Sequence, residues 1–140
     1  EAPLNRAQEI YRQLAAAGAL SPADQADVGT GYRQLGSLHG SAGRLAEARA
    51  AYEKSLSLLG PLAAGPSAPP EYVAELARAW HSLGLLERAE KNGSAAVAAF
   101  RKALDLWDGL VTAHGENPDY QEGRNATRSL LEGPAGTAVG

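Results

Sequence analysis

The residues able to do chemistry are few and scattered. Histidine occurs at His39, His81 and His114, far apart, and none has a second ligand at helical spacing, so no His-Glu-x-x-His zinc arrangement exists. No Gly-x-Ser-x-Gly elbow is present, nor a glycine-rich phosphate loop followed by Lys, and Gly29-Thr30-Gly31 is too short a match to count. Carboxylates such as Glu47, Glu53, Glu87 and Glu90 sit among Arg and Lys at helical spacing, which is the pattern of a solvated, partly paired face. The sequence thus offers no catalytic set, no metal site and no cofactor, and the expectation is a non-enzymatic binding protein. Asn92-Gly93-Ser94 and Asn125-Ala126-Thr127 fit the N-glycosylation pattern, making Asn92 and Asn125 candidate modification sites. They favour an exported, extracellular chain over a cytoplasmic one. The absence of any methionine suits that reading, since the sequence is then a processed chain or a fragment.

Composition narrows the classes. The chain has 140 residues, one domain's worth, and its 44% hydrophobic content is dominated by Ala and Leu, with a single Phe and few β-branched residues. This is an all-α composition. A formal charge of −3 provides no basic stripe to neutralise phosphates, so nucleic acid is not expected as a partner. No apolar run approaches the roughly 20 residues of a membrane span, and with no cysteine there is neither a disulfide nor a thiolate site to read.

The elements that would position a binding surface emerge when the chain is slid along itself by 48 residues. GYRQLGSL (31–38) then falls on AWHSLGLL (79–86), and Ala48, Tyr52, Lys54, Leu56 and Leu58 meet Ala96, Phe100, Lys102, Leu104 and Leu106. Pro22, Pro70 and Pro118 form a three-fold series, as do Leu14, Leu62 and Leu110. A fixed period of this size marks a stacked solenoid. Each period holds two helical patterns. The first opens at proline, where the missing N–H costs nothing, with Ser21 or Asn117 as the cap just before it. The second carries one apolar stripe: Ala48, Tyr52, Leu56 and Leu59, repeated as Ala96, Phe100, Leu104 and Trp107. Turns are expected at Gly43 and at Asn92-Gly93, both suited to left-handed helix termination.

This spacing resembles the tetratricopeptide repeat. Tyr32, Leu35, Gly36, Ala48, Tyr52 and Ser55 in one unit, and Trp80, Leu83, Gly84, Ala96, Phe100 and Ala103 in the next, fall where that family's motif expects them. The late proline of the motif is replaced by Gly60 and Asp108, and both helices are longer than usual, with Leu62, Leu110, Tyr72 and Tyr120 extending the apolar seam. In that respect the chain resembles long bacterial arrays of 48-residue period. The resemblance implies a right-handed helical solenoid of about six antiparallel helices. Residues 1–132 would form a single domain (partial repeat 1–20, repeats 22–64 and 70–114, partial repeat 118–132), followed by a Gly-rich tail at 133–140. On this reading Gly84 and Ala96 are small so that the helices of a hairpin meet closely.

The resemblance also implies a protein-interaction scaffold, and two surfaces stand out. The first is the ends: Leu4, Ala7, Tyr11 and Leu14 align with the stripe of a second-type helix that lacks its partner. Tyr120, Arg128 and Leu131 lie on a first-type helix that lacks its successor. Protomers would then associate head to tail into a homo-oligomer or open filament, unless Arg128 and Glu132, standing where Trp80 and Gly84 stand, mark a polar capping helix. The second surface is a concave groove holding an extended peptide, with Arg33, Ser37, Arg78, His81 and Arg88 on its wall and the arginines favouring an acidic ligand. The Lys and Asn pattern with which some family members clamp a terminal carboxylate is missing there.

Overall fold

The computed structural model describes residues 20–132, together with Glu9, Arg12 and Gln13. Five helices lie among the described residues: α1 (Pro22–Ser41), α2 (Leu45–Leu62), α3 (Pro70–Ala89), α4 (Gly93–Ala113) and α5 (Pro118–Glu132). Most of the first partial repeat and the whole Gly-rich tail fall outside the described residues.

Local chemistry explains where these helices start. The Ser21 hydroxyl accepts the Asp24 backbone N–H at 3.1 Å, ahead of Pro22 in the first turn. Asn117 plays the same part for α5, its side-chain oxygen accepting the Asp119 N–H at 2.9 Å. The prolines that open α1, α3 and α5 are Pro22, Pro70 and Pro118, each 48 residues after the last.

The two short turns are closed by one device with different residues. After α1, the N–H groups of Gly43 and Arg44 donate to the carbonyls of Gly40 (3.0 Å) and His39 (2.9 Å), with Gly43 at φ +80°. After α3, the N–H groups of Lys91 and Asn92 donate to Arg88 (3.0 Å) and Glu87 (2.8 Å), and the left-handed residue is Lys91, at φ 64°. The expected turn at Asn92-Gly93 is therefore displaced. Gly93 begins α4, and Asn92 uses its side-chain amide to donate to Glu87 Oε1 at 3.0 Å. Lys91 is the residue that the 48-residue register lays on Gly43.

Neither hairpin buries its apolar stripe alone. Ala48 and Tyr52 of α2 meet Leu83 and Leu86 of α3, while Ala74 and Ala77 of α3, Ala103, Trp107 and Leu110 of α4 and Tyr120 of α5 form the next cluster. A third joins Ala26 of α1, Leu59 of α2 and Ala79 of α3. These clusters make a continuous core along the stack, as solenoids require. Ion pairs join α2 to α3: Arg49 of α2 donates to Glu87 Oε2 at 2.6 Å and also pairs with Glu90. Hydrogen bonds from Arg49, and secondarily from Asn92, hold the Glu87 carboxyl below its ordinary range despite burial.

The glycines within the hairpins answer a steric demand, but the partner is an aromatic ring and not the small alanine. A Cβ on Gly84 would lie 2.5 Å from Phe100 Cε1, and one on Gly36 would lie 2.6 Å from Tyr52 Cε1. Ala96 and Ala48 are themselves buried. Packing outweighs the cost of about 1 kcal/mol that glycine imposes inside a helix.

Two predictions follow from local geometry. Gly84→Ala should destabilise the chain by about 1 to 3 kcal/mol through overpacking against Phe100. Gly31→Ala, in the same kind of helix but with nothing within 4 Å of the new methyl, should stabilise it by about 0.4 to 1 kcal/mol. Denaturant unfolding of both variants checks the contrast, and shifts of equal sign would refute it. Replacing exposed Lys91 by Gly should raise stability by about 0.5 to 1 kcal/mol, because the left-handed backbone no longer strains a Cβ. A lower melting temperature for Lys91→Gly would contradict that account of the turn.

Candidate functional site

The first-type helices α1, α3 and α5 line one side of the stack, and two adjoining clefts run along it. One, of about 270 Å³, is walled by Arg33 of α1, Arg78, His81 and Ser82 of α3, Trp107 of α4 and Asp119, Glu122, Gly123 and Ala126 of α5. The other, of about 520 Å³, takes in Asp27 and Thr30 of α1, Glu71, Tyr72 and Glu75 of α3, and Asn117 and Tyr120 at the start of α5. Arg78 and Asp119 border both, so the clefts form one groove.

Glu75 is the electrostatic centre of this surface. Its Oε1 accepts from the Thr30 hydroxyl at 3.0 Å and from Arg33 Nη2 at 3.4 Å, and its Oε2 accepts from Arg78 Nη1 at 2.8 Å. Arg78 also lies over the Trp107 ring, 5.4 Å from its centroid. Both groove arginines are thus partly compensated from within the chain. The groove is lined by five carboxylates (Asp27, Glu71, Glu75, Asp119, Glu122) against the two guanidiniums of Arg33 and Arg78. Carboxylates thus outnumber guanidiniums on this surface, an excess that spacing along one helix does not reveal because the carboxylates arrive from neighbouring helices. The Tyr120 hydroxyl is pushed up by burial first and by Glu71 next.

Of the groove residues expected from sequence, the fold brings Arg33, Arg78 and His81 together. Ser37 instead meets the Tyr52 hydroxyl at 3.2 Å, and Arg88 is exposed; neither borders a cleft. His81 is more than a surface polar residue. Its Nδ1 shares a 2.9 Å hydrogen bond with the fully buried Thr127 hydroxyl of α5, and its ring packs edge-on to Phe100 at 5.9 Å. Burial lowers its pKa.

Leu4, Ala7, Tyr11 and Leu14, the head of the expected self-association surface, lie outside the described residues. At the tail, Tyr120 was expected to face a neighbour. It is instead 8% exposed, packed in its own chain against Trp107 at 6.3 Å, because α5 lays its apolar side back on α3 and α4. Leu131 is half-buried, and exposed Arg128 approaches Asp108 Oδ1 at 3.9 Å. Tyr120 and Thr127 are the buried residues of α5. Of the candidate glycosylation residues, Asn92 is exposed but holds Glu87 with its amide, and Asn125 is exposed on α5 while the Thr127 hydroxyl of its pattern is buried.

Sequence reasoning missed Glu75, Trp107, Asp119, Glu122 and Gly123. A signal for them existed: Glu71 and Glu75, and Asp119 and Glu122, recur at helical spacing in the first turns of two first-type helices, and Gly123 stands where the register puts Asp27 and Glu75.

These titrations predict an acid sensitivity with two windows. His81 is held below its ordinary pKa of 6.5, so its contribution is complete above that pH and is lost as pH falls below it. Glu87 is held below 4.5, so its contribution is lost only as pH falls further, through its folded pKa. Unfolding midpoints measured at about pH 7.5 and about pH 5.5 should drop for the wild type and change less for His81→Asn, since the imidazole is the group titrating there. An equal drop in both proteins would show that other groups carry the loss.

A family model described as the tetratricopeptide repeat matches residues 31–58 and 77–106. No match was found among curated proteins or solved structures. The two matched segments each run from a first-type helix into the second-type helix that follows, and contain Gly36 with Tyr52 and Gly84 with Phe100. The chain therefore carries tetratricopeptide repeats, at residues 31–58 and 77–106.

Proposed function

We propose that the chain is a non-catalytic protein-interaction scaffold whose working surface is the groove along α1, α3 and α5, and that this groove receives an extended peptide. Tetratricopeptide repeats point to a protein partner, and the family is typically non-catalytic. The observation that carries the choice of surface is the continuity of the two clefts, which share Arg78 and Asp119 and are lined by side chains of all three first-type helices. Trp107, Tyr72 and Tyr120 stand among the polar and charged groups that line it.

Head-to-tail self-association into a filament draws less support. Its tail contact at Tyr120 is already used within the chain. Its head stripe lies outside the described residues. The outer side of α5 carries exposed Asn125, Arg128 and Glu132, which are polar where a self-association seam would need apolar residues.

The test is to select extended peptides of about twelve residues against the wild-type chain and measure their binding to Ala126→Trp. That indole would fill the smaller cleft from an exposed position. Affinity should fall at least about tenfold, or about 1.4 kcal/mol, with unchanged circular dichroism, while Val97→Glu on the outer face of α4 should leave it unaltered. Peptides that bind Ala126→Trp as tightly as wild type would move the site elsewhere.

A further inference from the structure

We propose that the groove takes a basic ligand: an extended peptide segment rich in Lys or Arg, its side chains met by free carboxylates and one of its backbone carbonyls accepting from the Trp107 indole. This rests on the peptide-binding reading above and adds the chemistry of the peptide.

The first observation is charge left unpaired among the described residues. Glu75 is taken up by Thr30, Arg33 and Arg78, whereas Asp27, Glu71, Asp119 and Glu122 border the clefts and form no ion pair among the described residues. A concave wall with a surplus of carboxylates focuses a negative potential and draws cations.

The second observation is independent and concerns a donor. Trp107 is 2% exposed, and its Nε1 has no hydrogen-bond partner. A buried N–H without an acceptor is uncommon and costly in a folded protein. The ring edge carrying that nitrogen lies under Gly123, which lines the smaller cleft: a Cβ there would come within 2.6 Å of Cε2, the carbon bonded to Nε1. The two preceding units have Asp27 and Glu75 at this register position, so glycine leaves room for the ring edge beside the cleft where the pattern would otherwise place a side chain. Arg33 Nε, on the wall of the same cleft, is a second buried donor without a partner. The groove thus asks for positive charge along its length and for a carbonyl-type acceptor at one point. A basic peptide supplies both. A polyamine supplies only the charge, and an acidic peptide supplies an acceptor but is repelled.

The test uses fluorescein-labelled, end-capped decapeptides of alternating Lys–Ala, Gln–Ala and Glu–Ala, titrated into the wild-type chain by anisotropy, with spermine as a fourth probe. The Lys–Ala peptide should bind at least about tenfold more tightly than Gln–Ala, with Glu–Ala weaker again. Asp119→Asn with Glu122→Gln, two exposed positions, should erase most of the preference for Lys–Ala over Gln–Ala with unchanged circular dichroism. The Trp107 indole N–H resonance should shift on adding Lys–Ala and stay in place on adding spermine. If Gln–Ala or Glu–Ala binds as tightly as Lys–Ala, or the double variant keeps its preference, the basic-ligand inference falls while the groove stands. If the indole resonance is unmoved by the peptide, the carbonyl contact is wrong. If none of the three peptides binds, the peptide-binding reading itself fails, and this inference with it.

Discussion

A ring seated on a glycine organises the rest of this structure. Phe100 is 1% exposed and fills the space that a side chain at Gly84 would occupy. That contact fixes how closely α3 and α4 cross. From the other side the ring meets His81 edge-on, His81 is bonded to Thr127, and Thr127 is one of the buried residues that hold α5. The first hairpin repeats the contact with Tyr52 on Gly36. A steric fit inside one hairpin is thereby coupled to the placement of a helix in the next unit, and that helix is a wall of the groove. Close-packed interiors transmit displacements of this kind because little free volume exists to absorb them.

Electrostatics divides the molecule along the same lines. Between α2 and α3, Arg49 meets Glu87 and Glu90 directly, so the charges end in a mutual pairing that joins the units. In the groove, Glu75 draws in Arg33 and Arg78 and leaves the remaining carboxylates facing solvent. Partly buried pairs of the first kind cost stability when one partner is removed. Open charges of the second kind contribute little to the fold and are available to a ligand.

Much of the fold was legible because it rests on local and periodic signals. The proline starts, the Ser21 and Asn117 caps and the apolar stripe through Phe100 and Trp107 are each written within a few residues or one period, and the structure has them there. The left-handed turn residue was harder to read, since Asn92-Gly93 has the stronger local preference, yet tertiary register put Lys91 in that conformation. The candidate site was legible only in part. Which helices line the groove follows from repeat geometry, but its polarity depends on Glu75 reaching Thr30 and Arg33 in another helix. Periodicity within one helix says nothing of such a meeting. For the same reason Tyr120 looked free at the end of the array, although the seam it continues turns inward on α4.

The most direct measurement of the central constraint is the nuclear Overhauser contact between the Gly84 α protons and the Phe100 ring, read with the shift of those protons. Ring atoms lie 2.5 to 3.0 Å from where a Cβ would stand on Gly84. A strong contact and an α-proton resonance displaced by the ring current are therefore expected. An unshifted Gly84 resonance without contact to Phe100 would contradict the account, because the hairpin would then be spaced by something other than the ring on the glycine.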